Sequence, residues 1–277
     1  MFWLLWAATE AAEFRDRERK IMLKKAALVT GAVRNSGLGI ARRFLAEGVP
    51  TFITSRVEED AVKVAAELTK EFGVECFGLG YSPRNAKEET DPMFARIEEK
   101  GYYIDSLICN AADLGRWMDP LTVEADKWED VIITNIMGYF LPARAAARQM
   151  IANGDAKTGT IVFIGSINYK DAIPERSAYI ATKGAIRSMT KGLALDFAKY
   201  GIRINCIAPG PIWTTRYDEW SEEEAKRKKA VVPLNTITTK EQMGNIAWFL
   251  SNEQSQNMTG SVMTVDGGMD CVSPIML

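Results

Sequence analysis

The chain has 277 residues, 47% of them hydrophobic, 25% charged and 9% aromatic, enough apolar material for a sizeable globular core. Its 34 basic and 36 acidic side chains leave a net charge of −2, which argues against nucleic acid or an anionic membrane as partner and points to a small molecule. There is no histidine, so imidazole acid/base chemistry, a Ser-His-Asp triad and every His-ligated metal site are excluded, and proton transfer falls to Tyr, Lys, Asp, Glu or Cys.

The opening MFWLLWAATEAAEFRDRERK begins with eight apolar residues. It has no basic region ahead of them and no A-x-A site behind, so a signal peptide is not expected, and the run is shorter than the ~20 residues a spanning helix needs. Residues 1–23 read as an N-terminal helical extension, with the helix from Phe2 to about Lys20. Its aromatic start seeks the substrate lid, a neighbouring subunit or a membrane interface, and it is expected to pack on its own subunit or a neighbour beside the cofactor or substrate cleft. The interspersed Glu10, Glu13, Asp16 and Glu18 disfavour anionic lipid.

From Lys24 onward, AALVT, TFITS, CFGLG, IDSLICN, GTIVFIG, GIRINCIA and SVMTV read as strands separated by stretches of helical apolar spacing. Such alternation predicts right-handed crossovers into a doubly wound parallel sheet of Rossmann type, α/β, with about seven strands and helices on both faces. No linker or repeat divides residues 24–277, so one domain is expected. The segment 211–238, with two tryptophans, a charged helical run and flanking prolines, reads as a lid. Cys76, Cys109, Cys206 and Cys271 form no C-x-x-C pair, which suggests neither zinc nor redox chemistry and suits a reducing cytoplasm.

After the first strand comes a loop holding Gly31, Gly37 and Gly39, followed by the helical IARRFLAEG. Strand, glycine loop and helix together form a dinucleotide fingerprint: glycines let backbone approach a pyrophosphate, and the helix N-terminus favours its negative charge. Far downstream, Tyr179 and Lys183 stand i,i+4 on the predicted helix SAYIATKGAIRSMTKGLALDFA and share one face. A phenol titrates near ~10, and an ammonium ~4 Å away at an effective dielectric of ~20 contributes ~4 kcal/mol, enough to lower that pKa by up to ~3. Tyr179 then suits general acid or base work, and the Ser166 hydroxyl after the fifth strand suits an oxygen gaining negative charge.

These residues resemble the short-chain dehydrogenase/reductase family. Its T-G-x-x-x-G-x-G is echoed by Thr30, Gly31, Gly37 and Gly39, although five residues separate Gly31 from Gly37 where the family usually has three. Cys109, Asn110, Ala111 and Ala112 resemble its N-N-A-G, Asn135 its helix asparagine, and Tyr179 with Lys183 its Y-x-x-x-K, thirteen residues after Ser166. Pro209 with Gly210, and Val265 to Gly268, match as well, so the likeness runs from about 24 to 270. It implies interconversion of a ketone and a secondary alcohol with NAD(H) or NADP(H), by Asn135, Ser166, Tyr179 and Lys183. The lysine also holds the nicotinamide ribose, and the asparagine places a water leading protons to it. The dinucleotide would contact Gly31, Arg34, Asn35, Ser36, Gly37, Leu38, Gly39, Ser55, Arg56, Asn110, Ala111, Tyr179, Lys183, Pro209, Gly210, Ile212 and, at its carboxamide, Thr214. Trp213, Tyr217 and Trp220 either line an apolar substrate pocket or simply pack.

The second strand ends in Ser55 and Arg56, without the acid that accepts ribose hydrogen bonds in NAD-selective relatives, and the guanidinium favours a 2′-phosphate. The GYSP at 80–83 is a second departure, where the family usually has D-V-x-D. Against this, the extension, the enlarged loop and the adenine end resemble hydroxysteroid dehydrogenases that reduce the C20 ketone of cortisol-type steroids, which implies NAD(H). The alternatives are a reductase of a 3-oxoacyl thioester or a polyol, and a non-catalytic dinucleotide-sensing protein, which would be expected to have lost the tyrosine or the lysine. The resemblance also implies a homodimer or homotetramer.

Overall fold

Strand β1 (Lys24–Val29) turns Ala26 and Leu28 toward one buried layer and Ala27 and Val29 toward another, as a strand covered on both faces must. The computed structural model describes residues 23–153, 159–218 and 220–272; the N-terminal helix expected over 1–23 lies almost wholly outside these residues. Seven parallel strands follow the order β3-β2-β1-β4-β5-β6-β7. They are β1, β2 (Thr51–Ser55), β3 (Cys76–Gly80), β4 (Tyr102–Cys109), β5 (Thr160–Ile164), β6 (Arg203–Pro209) and β7 (Val262–Val265). Each falls on a segment that reads as a strand in the sequence.

Helices α1 (Asn35–Ala46) and α2 (Glu58–Phe72) cover one face of the sheet. Helices α3 (Ala86–Glu99), α5 (Gly138–Ala152) and α6 (Ser177–Ala198) cover the other. Between them in the chain, α4 (Ala125–Ile132) runs through a π-helical turn, Ile133–Met137, into α5. Helix α7 (Glu222–Ala230) lies in the 211–238 segment and is closed at its start by a reciprocal Ser221–Glu224 capping box. Helix α8 (Lys240–Ser251) completes the α1 face.

Helix α1 starts at Asn35, five positions before the helical run read from the sequence, so Gly37 and Gly39 lie inside its first turns. The reason is tertiary. A Cβ at Gly39 would stand 2.2 Å from the Lys240 carbonyl oxygen, and one at Gly244 would stand 2.6 Å from the Gly39 oxygen, so α1 and α8 cross where neither has a side chain. Strand order reverses between β1 and β4, and their carboxyl ends open a crevice at this switch point, where α/β sheets bind ligands.

Candidate active site

Thr30 and Gly31 leave β1 beside Asn110 and Ala111, which leave β4. The buried Thr30 hydroxyl oxygen accepts the backbone N–H groups of Asn110 at 3.0 Å and Ala111 at 3.1 Å. The Asn110 carboxamide nitrogen donates to the carbonyls of Thr30 and Gly31, both at 3.0 Å, while its oxygen accepts from the Ser36 hydroxyl at 2.8 Å. Asn110 thus ties the glycine loop to the neighbouring strand.

Gly31 sits at φ 63, in the left-handed region, and its added Cβ would meet Ala111 Cβ at 2.9 Å. One at Gly37 would meet the Gly31 oxygen at 2.4 Å and Asn110 Nδ2 at 2.7 Å. Helix α1 has no side-chain cap and no acid in its first turn, so its N-terminal N–H groups and partial positive charge are left for an anion. Leu38 packs on the α1-face core and Gly39 backs onto α8, so both shape the loop from behind. Arg34 is exposed, and the Asn35 side chain reaches the 211–238 segment.

At the far end of the crevice Ser55 accepts the Val57 N–H at 3.3 Å through its hydroxyl and the Tyr81 N–H at 2.9 Å through its carbonyl. The Gly80–Pro83 stretch, where the family usually has D-V-x-D, carries no acid, and Tyr81 within it is buried. Arg56 is exposed, with no ion-pair partner among the described residues.

Helix α6 presents Tyr179 and Lys183 on one buried face, one turn apart. Lys183 Nζ donates to the Ile164 carbonyl at 2.8 Å and lies 5.4 Å from the Tyr179 ring centroid. Ile164 O also accepts from the Tyr139 hydroxyl at 3.0 Å, and the same ammonium lies 5.5 Å from the Tyr139 ring. Ser166 follows β5 close enough to Tyr179 to pull its pKa down, while its hydroxyl donates to Asn168 Oδ1 and accepts the Asn168 N–H, both at 3.1 Å.

The electrostatics correct one expectation. Burial raises the Tyr179 pKa, with the Ser166 hydrogen bond and the Arg176 charge pulling it down by less. It is Lys183 that is lowered, to about 8, because burial penalises its own charge. The expected lowering of the phenol takes the charge of a nearby ammonium and no cost of burial; here both groups are desolvated together.

Asn135 lies in the π-helical turn, a feature frequent at functional sites, and is fully buried. Its Oδ1 accepts the Asp113 N–H at 2.8 Å, and its Nδ2 donates to the Asp113 carbonyl at 2.8 Å and to Thr182 Oγ1 at 3.0 Å. Its carboxamide therefore fastens the loop after β4 to α6. That loop brings Leu114 and Met118 against Tyr179, Ala178 and Val131.

After β6, Gly210 N–H bonds the Val265 carbonyl at 2.9 Å, Ile212 bridges to Thr238, and Trp213 N–H bonds the Thr238 carbonyl at 2.8 Å. Pro209 and Gly210 thus start a strap held at its base. Trp213, Tyr217 and Trp220 pack on one another, Tyr217 and Trp220 stacked at 4.0 Å and Trp213 edge-on to each at 5.8 and 6.1 Å. Thr214 Oγ1 is buried without a hydrogen-bond partner among the described residues. That unmet hydroxyl, and a glycine cradle that any Cβ would fill, fit a dinucleotide with an amide at its end.

Sequence reasoning missed Asn168, Tyr139 and Thr182. Asn168 stands two residues after Ser166, close enough in the chain to have been a signal; Tyr139 and Thr182 meet the site only through folding.

A doubly wound sheet with this cradle and this Ser–Tyr–Lys cluster defines a dinucleotide-dependent oxidoreductase. The family profile described as enoyl-(acyl carrier protein) reductase matches residues 31–270. Glucose 1-dehydrogenase 2 of Bacillus subtilis is 29% identical over 251 residues, covering 90% of this chain and 96% of that relative. A 3-oxoacyl-acyl-carrier-protein reductase of Chlamydia muridarum is 32% identical over 252 residues, covering 90% and 98%. Among solved structures, an actinorhodin polyketide ketoreductase variant with NADPH matches with a TM-score of 0.80 at 30% identity, covering 90% of this chain and 98% of that one. The chain belongs to the short-chain dehydrogenase/reductase family and is an NAD(P)-dependent enzyme of alcohol dehydrogenase or ketoreductase type.

Proposed function

We propose that the enzyme reduces the C20 ketone of cortisol-type steroids, or oxidises the corresponding alcohol, as a 20β-hydroxysteroid dehydrogenase. The observation that supports ketone chemistry is the grouping of Ser166, Tyr179 and Lys183 at the carboxyl end of β5 and the facing side of α6. The Ser166 hydroxyl turns from Asn168 to the carbonyl oxygen and holds it as negative charge grows. Tyr179 delivers the proton as general acid, with Lys183 beside it. Bound dinucleotide supplies the hydride in reduction and accepts it in oxidation. Gly31, Gly37, Asn110, Ala111, Lys183 and Thr214 hold that dinucleotide, and Asn135 fixes the loop that walls the substrate side.

An apolar substrate is supported by Leu114 and Met118, which pack beside Tyr179. Resemblance to hydroxysteroid dehydrogenases favours NAD(H). The exposed Arg56, without an ion-pair partner among the described residues, is the specific observation for NADP(H), and Arg56→Ala separates the two, because loss of a charge-assisted phosphate contact weakens NADPH far more than NADH. A second reading, a 3-oxoacyl thioester or sugar reductase, is favoured by what the relatives are called. A dinucleotide sensor without turnover is disfavoured because Tyr179 and Lys183 are both present. Four free cysteines, three of them buried, support a cytoplasmic setting.

Following nicotinamide absorbance with NADH and NADPH across ketosteroids, 3-oxoacyl thioesters and sugars tests the proposal. Turnover of C20 ketosteroids is expected. Turnover confined to thioesters or sugars overturns the steroid assignment, and binding of dinucleotide without any turnover overturns the enzymatic one.

A further inference from the structure

The enlarged glycine loop does something that a pyrophosphate cradle alone does not require. Asn35 stands at φ 51, in the left-handed region that non-glycine residues rarely occupy and that Asn tolerates best. From there its side-chain oxygen accepts the backbone N–H of Thr215 at 3.2 Å, across 180 residues of chain. Thr215 begins the 3-10 turn Thr215–Tyr217, whose extended preceding residue is Thr214, the one with the buried and unpartnered hydroxyl. On its other side the strap is fastened to Thr238 through Ile212 and Trp213. Thr214 therefore lies between a fixed base and the bond from Asn35.

We propose that Asn35 is a positioning residue: it latches the strap to the glycine loop, so that a dinucleotide seated on that loop also holds Thr214 and the substrate side of the strap in place. The inference rests on the dinucleotide-dependent reading above and adds to it the residue through which the glycine loop holds the strap. The residue type follows from the geometry. The position needs a left-handed backbone and an acceptor in the side chain, and Asn supplies both, whereas Gly supplies only the first and Asp supplies both with added charge.

The strap helix carries Lys226, Arg227, Lys228 and Lys229, exposed or nearly so, which makes trypsin cleavage there a direct readout of closure. The experiment uses the whole chain with NADH and with NADPH, measuring affinity by tryptophan fluorescence and strap cleavage by timed proteolysis. Dinucleotide is expected to slow cleavage in the wild type. Asn35→Gly, which keeps the backbone conformation and removes the acceptor, is expected to reduce that protection by about 2- to 12-fold, the range that one net hydrogen bond covers. Asn35→Asp is expected to restore it. The same Gly variant is expected to raise the KM for the carbonyl substrate more than it lowers kcat, because closure and not proton transfer is affected.

If either dinucleotide binds and protects Asn35→Gly as fully as the wild type, or binds the wild type without protecting it, the latch is overturned while the dinucleotide reading stands. If neither dinucleotide binds the wild type, that reading fails and the latch fails with it.

Discussion

Lys183 and Tyr179 are buried together, and the consequence is a definite order of titration. Burial lowers the lysine to about 8 and raises the phenol, so in the free enzyme the lysine loses its proton first. The pH dependence of kcat/KM reports groups of the free enzyme. Below about 8 Lys183 is charged, and above it is neutral. Reduction consumes a proton, so kcat/KM for a ketone is expected to fall as pH rises through about 8, and kcat/KM for the alcohol to rise over the same interval. A reduction profile flat to about pH 10, the ordinary range of a lysine or phenol, would remove Lys183 from the proton path. Tyr179→Phe deletes only the hydroxyl, and kcat is expected to drop by ~10²–10⁴ with dinucleotide affinity kept, as read by fluorescence titration. The pairing of these two residues is legible in the sequence, because i,i+4 spacing on a helix leaves no other geometry. The direction of their shifts is not, because desolvation comes from the layers that folding places over them.

At the scale of elements, the crossing of α1 and α8 rests on a pair of glycines facing each other's backbone. Gly39→Ala forces a methyl to within 2.2 Å of the Lys240 carbonyl oxygen, where backbone and not a flexible side chain must move. Overpacking of this kind costs ~1–3 kcal/mol, so the melting temperature is expected to fall by about 2–12 °C. An unchanged melting temperature would mean that the helices separate freely. The seven strands are legible from the sequence because a strand buried on both faces must be apolar nearly throughout, as Ile161, Val162 and Phe163 of β5 are. The start of α1 is not legible, since glycines at 37 and 39 read locally as loop, and what requires them inside a helix is tertiary: Gly37 faces Gly31 and Asn110, and Gly39 faces Lys240 of α8. The strap is legible as a segment but not as an arrangement. Three aromatic residues, Trp213, Tyr217 and Trp220, suit a substrate wall or a packed cluster equally well until the chain brings their rings together.

At the scale of the molecule, the outer face of α6 is where self-association is expected. Gly184, Ser188 and Gly192 recur every four residues on that helix, no atom of the described residues lies within 4 Å of a Cβ added at either glycine, and Leu195 is 81% exposed beside them. A large apolar side chain left in water forgoes ~1.5–3 kcal/mol, and a two-fold partner would cover it twice, once from each subunit. The family resemblance leads to the expectation of a homodimer or homotetramer, and this face is where the prediction places its contact. Sedimentation velocity is expected to give that assembly for the wild type and a smaller species for Leu195→Asp, since a carboxylate buried without a partner is strongly disfavoured. Gly192→Ala provides the independent check. On an isolated subunit it replaces a helix-interior glycine with nothing in its way and should stabilise by ~0.5–1 kcal/mol. In an interface where helices approach through their small residues it should destabilise the assembly instead. A wild type that sediments as a monomer, together with a Gly192→Ala variant that melts higher, would leave this face to solvent and remove the oligomer.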